Sequence, residues 1–195
     1  MSFRGIATAA GVALAAATLS GCAAMDWGSH LAAFKYTQDD RNDAVVLVAG
    51  GSREYCGPNP TSIRILAQGD HSPMTAKGIT GFNSALDTSM YKDHQGVLAA
   101  MRLPPGNYYA ILWPFNAVNF VPTTVPHANF TVKAGEVVYL GEMYLENGCD
   151  LKNRVSYRDE FDRDMAILKT ANSALAHAPI QKRILDPNTP PADAS

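Results

Sequence analysis

The chain has no excess of either charge: 16 Lys and Arg stand against 18 Asp and Glu in 195 residues, and only 17% of residues are charged. A nucleic-acid binder neutralises phosphates with a basic surplus, so no nucleic-acid partner is expected. Disorder is excluded from the other side, because 47% of residues are hydrophobic, enough to bury a core. Cysteine is scarce. Cys22, Cys56 and Cys149 form no C-x-x-C pair, which argues against a zinc framework. The histidines, His30, His71, His94, His127 and His177, form neither H-E-x-x-H nor an i, i+4 pair. No glycine-rich loop joins a Lys and a Ser or Thr to cradle phosphate. Ser52 follows Gly50-Gly51, but the G-x-S-x-G elbow of a serine nucleophile is missing. No metal, cofactor or catalytic residue is therefore nominated. Asp70-His71 and Asp93-His94 sit in polar stretches and read as solvated loops.

A run long enough to span a bilayer is also missing. Ile6 to Leu19 is uncharged and mostly apolar, but shorter than the roughly 20 residues a spanning helix needs. It follows the single positive charge of Arg4, which is the plan of a secretory signal peptide. The run ends in Leu19-Ser20-Gly21-Cys22, which resembles the lipobox of bacterial lipoproteins. That resemblance implies cleavage before Cys22, with Leu19, Ser20 and Gly21 read by the signal peptidase. It also implies diacylglycerol on the Cys22 thiol and an acyl chain on its new amine. Two or three acyl chains anchor stably where one holds marginally. In Gram-negative lipoproteins Asp at the second mature position retains the protein at the inner membrane. Ala23 stands there, so the resemblance implies the outer membrane, with the domain facing the periplasm. The alternative is an ordinary secreted protein.

Export places Cys56 and Cys149 in an oxidising compartment, and with Cys22 acylated the one intramolecular pairing is Cys56–Cys149; the alternative is two separate free thiols. Both sit in turn contexts, Tyr55-Cys56-Gly57-Pro58 and Asn147-Gly148-Cys149-Asp150.

The expected organisation is a signal peptide (1–21), an anchor and tether (22–42), a β-sandwich domain (43–157), a packed helix (158–178) and a mostly disordered tail (179–195). In the tether, Trp27, Leu31 and Phe34 recur at helical spacing, so a short helix on the domain or on the membrane is open. Strands are expected at Ala44 to Val48, Ser62 to Ala67, Ile79 to Phe82, Val97 to Leu103, Tyr108 to Trp113, Phe130 to Val132 and Val137 to Gly141, continuing through Leu145. Pro105-Gly106 suits a type II turn and Lys133-Ala134-Gly135-Glu136 a hairpin turn. About seven or eight short strands between turn signals predict an antiparallel sandwich. Phe161, Met165, Leu168 and Leu175 then make one helical stripe. Asp159, Glu160, Asp162 and Asp164 favour that helix's N-terminus, Ser156 or Asp159 suits its cap, and Pro179 stops it.

Leu103-Pro104-Pro105-Gly106-Asn107-Tyr108, Phe130-Thr131-Val132-Lys133-Ala134-Gly135 and Tyr139-Leu140-Gly141 together resemble an L-P-x-G-x-Y, F-x-V-x-A-G, Y-L-G pattern. It belongs to a family of bacterial lipoproteins with a transthyretin-like (prealbumin-like) sandwich. Related turn chemistry occurs in carboxypeptidase regulatory-like and collagen-binding B-type domains. The resemblance covers about residues 43–146 and implies a mainly β, transthyretin/Ig-like sandwich with a C-terminal α-helix. It offers no catalytic residue to carry over, and the fold hosts many roles.

Trp113-Pro114-Phe115-Asn116-Ala117-Val118-Asn119-Phe120 is the segment least explained by folding. Trp113, Phe115 and Phe120 with Asn116 and Asn119 suit a surface for an envelope protein or glycan. Equally, Trp113 and Phe120 are core and the rest is a loop. Three functions stay open: a non-catalytic envelope lipoprotein that binds or stabilises another envelope component, a lipoprotein subunit of a secretion apparatus, and an envelope hydrolase acting on peptidoglycan or glycan.

Overall fold

Strand-forming runs that alternate inward and outward residues give the chain two facing sheets. The computed structural model describes residues 26–27, 29–37, 41–53, 61–82, 89–114, 125–146 and 154–192. Among them are strands β1 (Asp26–Trp27), β2 (Ser29–His30), β3 (Ala44–Ser52), β4 (Thr61–Ala67), β5 (Gly78–Phe82) and β6 (Gln95–Leu103). Strands β7 (Gly106–Pro114), β8 (His127–Val132), β9 (Val137–Leu145) and β10 (Val155–Arg158) follow. Then come helices α1 (Phe161–Ala171) and α2 (Ser173–Ala176), and strand β11 (Ile180–Lys182). One sheet runs β1-β5-β4-β7-β8, the other β10-β9-β3-β6-β2, with β11 also beside β9.

Three apolar layers hold these sheets. Val46, Val48, Ile63, Ile65, Met101, Leu112 and Val138 belong to the layer between them. Leu47, Ala49, Tyr139, Leu168 and Leu175 belong to a second, where the helices and Leu31 cover the outer face of the β3 sheet. A third, with Leu66, Ile79, Ile111 and Trp113, lies on the outer face of the β4 sheet. β3 is therefore buried at every position, because both its faces are covered. Leu168 and Leu175 are completely buried, each worth about 1.5–3 kcal/mol. An isolated helix of the length of α1 is marginal in water, so that docking is what secures it.

Several expectations are corrected. The sandwich is not purely antiparallel: β3 and β9 are parallel, as are β1 with β5 and β11 with β9. Of the two placements left open for the tether, the described part takes the domain, with a single 3-10 turn at Leu31–Ala33 and two short strands before it. β1 pairs with β5 in one sheet and β2 with β6 in the other, and Leu31 and Phe34 pack on the domain as buried residues. Gly106 opens β7 without a positive φ, whereas Gly135 has φ +75° in the expected hairpin turn. Ser156 lies in β10 and does not cap α1. Asp159 accepts from the Phe161 N–H at 3.3 Å. In the tail, expected to be mostly disordered, residues 180–185 pack: Ile180–Lys182 form β11, and the N–H groups of Arg183 and Leu185 donate to Tyr139 and Leu140, each at 2.9 Å. Its apolar side chains explain the docking: Leu185 is buried in the central layer.

β9 changes its pleat midway. Val138 and Leu140 face the central layer, but beyond them Met143 and Leu145 do. The register against β3 slips there, from Leu47 opposite Tyr139 to Ala49 opposite Glu142. One extra residue forms a β-bulge, which re-aims the side chains that follow. Gly141 makes it possible. Its φ is +86°, and a Cβ would lie 2.6 Å from the Arg158 carbonyl oxygen. Gly141→Ala is expected to lower unfolding free energy by about 2–3 kcal/mol, from backbone strain plus that collision. Urea denaturation checks it, and a loss near zero would mean the bulge does not need a glycine.

The registers also sort the connections between two ends. Ala44 opposite Leu103, Ala67 opposite Tyr108 and Gly78 opposite Ile65 define one end. It carries the β4–β5 connection, the Pro104-Pro105 corner and the β8–β9 turn. Ser52 opposite both Gln95 and Leu145, and Thr61 opposite both Phe82 and Pro114, define the other. There lie the strand ends that precede and follow residues 53–60, 83–94, 115–126 and 146–154.

Candidate functional site

The bulge turns Glu142 out of the central layer onto the helix-covered face, where its side chain is 0% exposed. A buried carboxylate needs charge and hydrogen-bond partners, and two segments supply them. His94, just before β6, places Nε2 2.8 Å from Glu142 Oε1 and Nδ1 2.9 Å from Asp93 Oδ1. Its ring stacks on Tyr91 with centroids 4.5 Å apart and meets Tyr144 edge-on at 5.5 Å. The Ser89 hydroxyl shapes this loop, accepting from the N–H groups of Tyr91 and Gly96 at 3.1 Å each. The pair packs against Gly51, where any Cβ would overlap Glu142 Oε1 and the imidazole.

Helix α1 supplies the rest. Arg163 Nη1 lies 3.4 Å from Glu142 Oε2, and Nε donates to Asp164 Oδ1 at 2.9 Å. The guanidinium sits over the Tyr91 ring at 3.9 Å. Tyr139 donates its hydroxyl to Asp164 Oδ2 at 2.6 Å. Burial, with the Asp164 hydrogen bond and charge, pushes the Tyr139 phenol well above its ordinary range. Burial opposes the Arg163 charge, but Asp164 and Glu142 outweigh it and raise Arg163 above its usual value. The hydrogen bond from His94 holds Asp93 below the usual carboxylate range.

His94 is thus not in a solvated loop. Only Asp93 of the pair reaches solvent, its side chain 80% exposed against 5% for His94. Asp164 lies in the first turn of α1, as expected of a helix-start acid, and is also fully buried and bonded to Tyr139 and Arg163. Chemically the arrangement is a clamp. A carboxylate oxygen lies within hydrogen-bond distance of each ring nitrogen, so both nitrogens are engaged. Neither nitrogen is left to meet a substrate. The network ties the 89–94 loop, β9 and α1 together across residues far apart in sequence. One signal pointed to it: Glu142 is the lone charge in the otherwise apolar run Val137 to Leu145.

The other nominated residues are placed as follows. Trp113 is buried beside Leu66, Ile79 and Ile111, so it is core and not a partner contact. Its Nε1 has no hydrogen-bond acceptor among the described residues. Phe115, Asn116, Asn119 and Phe120, Cys56 and Cys149, and Leu19, Ser20, Gly21 and Cys22 lie outside the described residues. His127 is exposed on β8, edge-on to Tyr109 at 5.7 Å, in the sheet that does not hold His94. Among the described residues no three His, Cys, Asp or Glu side chains are grouped to hold a metal, and no helix is long and apolar enough to cross a membrane. A cleft of about 510 Å³ opens at the β8–β9 turn, between Tyr36, Arg41, Asp43 and Glu136. Glu136 there is already engaged by Arg183 at 2.8 Å and by the Lys133 N–H at 2.9 Å. Compared with known proteins, the chain matches no family model and no curated protein.

Proposed function

We propose that this is a non-catalytic, lipid-anchored protein of the bacterial envelope, held at the outer membrane through Cys22 on its periplasmic side. Its transthyretin-like sandwich presents one end to an envelope protein or glycan. The observation that carries this reading is the division of the fold into two ends. The strand termini flanking residues 53–60, 83–94, 115–126 and 146–154 gather at one end, while the other carries two short turns and the β4–β5 connection. Loops clustered on one end of a rigid sheet scaffold are where binding is ordinarily built. The aromatic and asparagine-rich segment Phe115 to Phe120 is among them.

The family resemblance gains support from what its motif residues do. Tyr108 donates to the Pro104 carbonyl at 2.7 Å and stacks on Phe130 at 5.8 Å, so the corner and the β8 motif form one packed unit. The engagement of both His94 nitrogens favours binding over hydrolysis.

Labelled palmitate fed to cells is expected to enter the wild-type protein and not Cys22→Ser. A photo-crosslinking residue at Asn119 is expected to capture one envelope component reproducibly, and the same residue at Ala134, at the opposite end, none. Unlabelled wild-type protein, or identical capture from both positions, would overturn the reading.

A further inference from the structure

We propose that the β4–β5 connection, with Met74 at its tip, is the face this domain lays against the lipid surface. The inference rests on acylation of Cys22 and goes beyond it, because it specifies which surface the anchor holds down. β1 runs parallel to β5, with Asp26 beside Gly78 and Trp27 beside Ile79. The chain before Asp26 therefore departs on the side from which β5 is entered, and that side is the 70–77 connection. Only Ala23, Ala24 and Met25 separate Cys22 from Asp26. Four residue steps reach at most about 14 Å. An anchor so short does not suspend the domain in solution. It brings the nearest surface into contact with the headgroups.

That surface is suited to the contact. Met74 is 60% exposed and is the exposed large hydrophobic residue among those described. A single such residue is ordinary on a soluble surface, so its position beside the anchor's exit gives it meaning. The connection holding it is rigid. Arg64, itself buried, donates from Nη1 to the Pro73 carbonyl at 2.7 Å. Ser72 N–H donates to Asp70 Oδ1 at 3.1 Å, and the Thr75 hydroxyl lies 2.5 Å from Asp70 Oδ2. Tyr109 donates its hydroxyl to the Asp70 carbonyl. Asp70, the connection's one carboxylate, is thereby committed to its own loop, while Lys77 adds a cation that suits anionic headgroups. Docked this way, the strand ends at Ser52, Pro114 and Leu145 lie on the side away from the membrane.

The test uses the acylated protein in vesicles of phosphatidylethanolamine and phosphatidylglycerol containing nitroxide-bearing lipid. A polarity-sensitive thiol fluorophore is attached to Met74→Cys or to Lys92→Cys, an exposed position at the far end, and wild-type protein carried through the same labelling supplies the blank. The Met74 probe is expected to shift to the blue and to be quenched several-fold more than the Lys92 probe. Equal quenching of the two probes in protein whose mass shows the acyl chains would remove this face and leave the anchor standing. A mass without acyl chains on Cys22 would overturn the envelope reading and this inference with it.

Discussion

Glu142→Ala is expected to unfold with about 3–5 kcal/mol less free energy than the parent, the cost of breaking one side of a buried ion network. Glu142 is 0% exposed and is held by the His94 ring at 2.8 Å and by the Arg163 guanidinium at 3.4 Å. Its removal leaves the His94 ring with only the exposed Asp93, and Arg163 with Asp164 and a distant Glu160 at 3.9 Å. Water does not readily replace those contacts, because the His94 side chain is only 5% exposed. Glu142→Gln keeps an acceptor and most of the volume, so its loss is expected to be smaller. The His94→Ala, Glu142→Ala double-mutant cycle should return a coupling of about 1–3 kcal/mol. Hydrogen exchange of the α1 amides should rise in Glu142→Ala, since the network is one of the helix's attachments to β9. A loss under about 1 kcal/mol, the range of an exposed pair, would show that the clamp holds nothing.

The same residue shows what was legible in the sequence. The alternation of Ser62 to Ala67 and the continuous apolar run Tyr108 to Trp113 gave their strands away, the second because a strand covered on both faces is apolar throughout. The β8–β9 hairpin was legible from Gly135. What pairs with what was not. The parallel β3–β9 contact joins segments some ninety residues apart in the chain, and no local pattern encodes it. His94 looked solvated because both its sequence neighbours and its loop are polar, while its partner Glu142 lies in an apolar strand. That partner faces the histidine only because the bulge at Gly141 reverses the pleat. The short strands β1, β2 and β11 escaped for a different reason. A strand of two or three residues carries too few side chains to show a period, and its stability comes from the edge it joins.

Reduction of the wild-type protein, or replacement of either Cys56 or Cys149 by serine, is expected to cost up to about 4–5 kcal/mol, the chain-entropy value for a ring of roughly 100 residues. The fold supplies an argument that composition alone did not. Ser52 of β3 and Leu145 of β9 stand opposite each other at the ends of parallel strands. Each cysteine follows its strand's end by four residues. Neighbouring strands lie about 4.8 Å apart, within the roughly 4.4–6.8 Å between Cα atoms that a disulfide bridges. The chain thus starts toward Cys56 and toward Cys149 from adjacent strand ends, each four residues away. The ring would close residues 57–148, most of the sandwich, so its effect falls on the unfolded chain more than on any one contact. Cys56→Ser, Cys149→Ser and the double variant should lose the same stability, and a reductant should destabilise the wild-type protein but none of the three. Alkylation should reach Cys56 and Cys149 only after reduction. Thiols that alkylate in the untreated, exported protein, or serine variants whose losses add, would show that the two cysteines act separately.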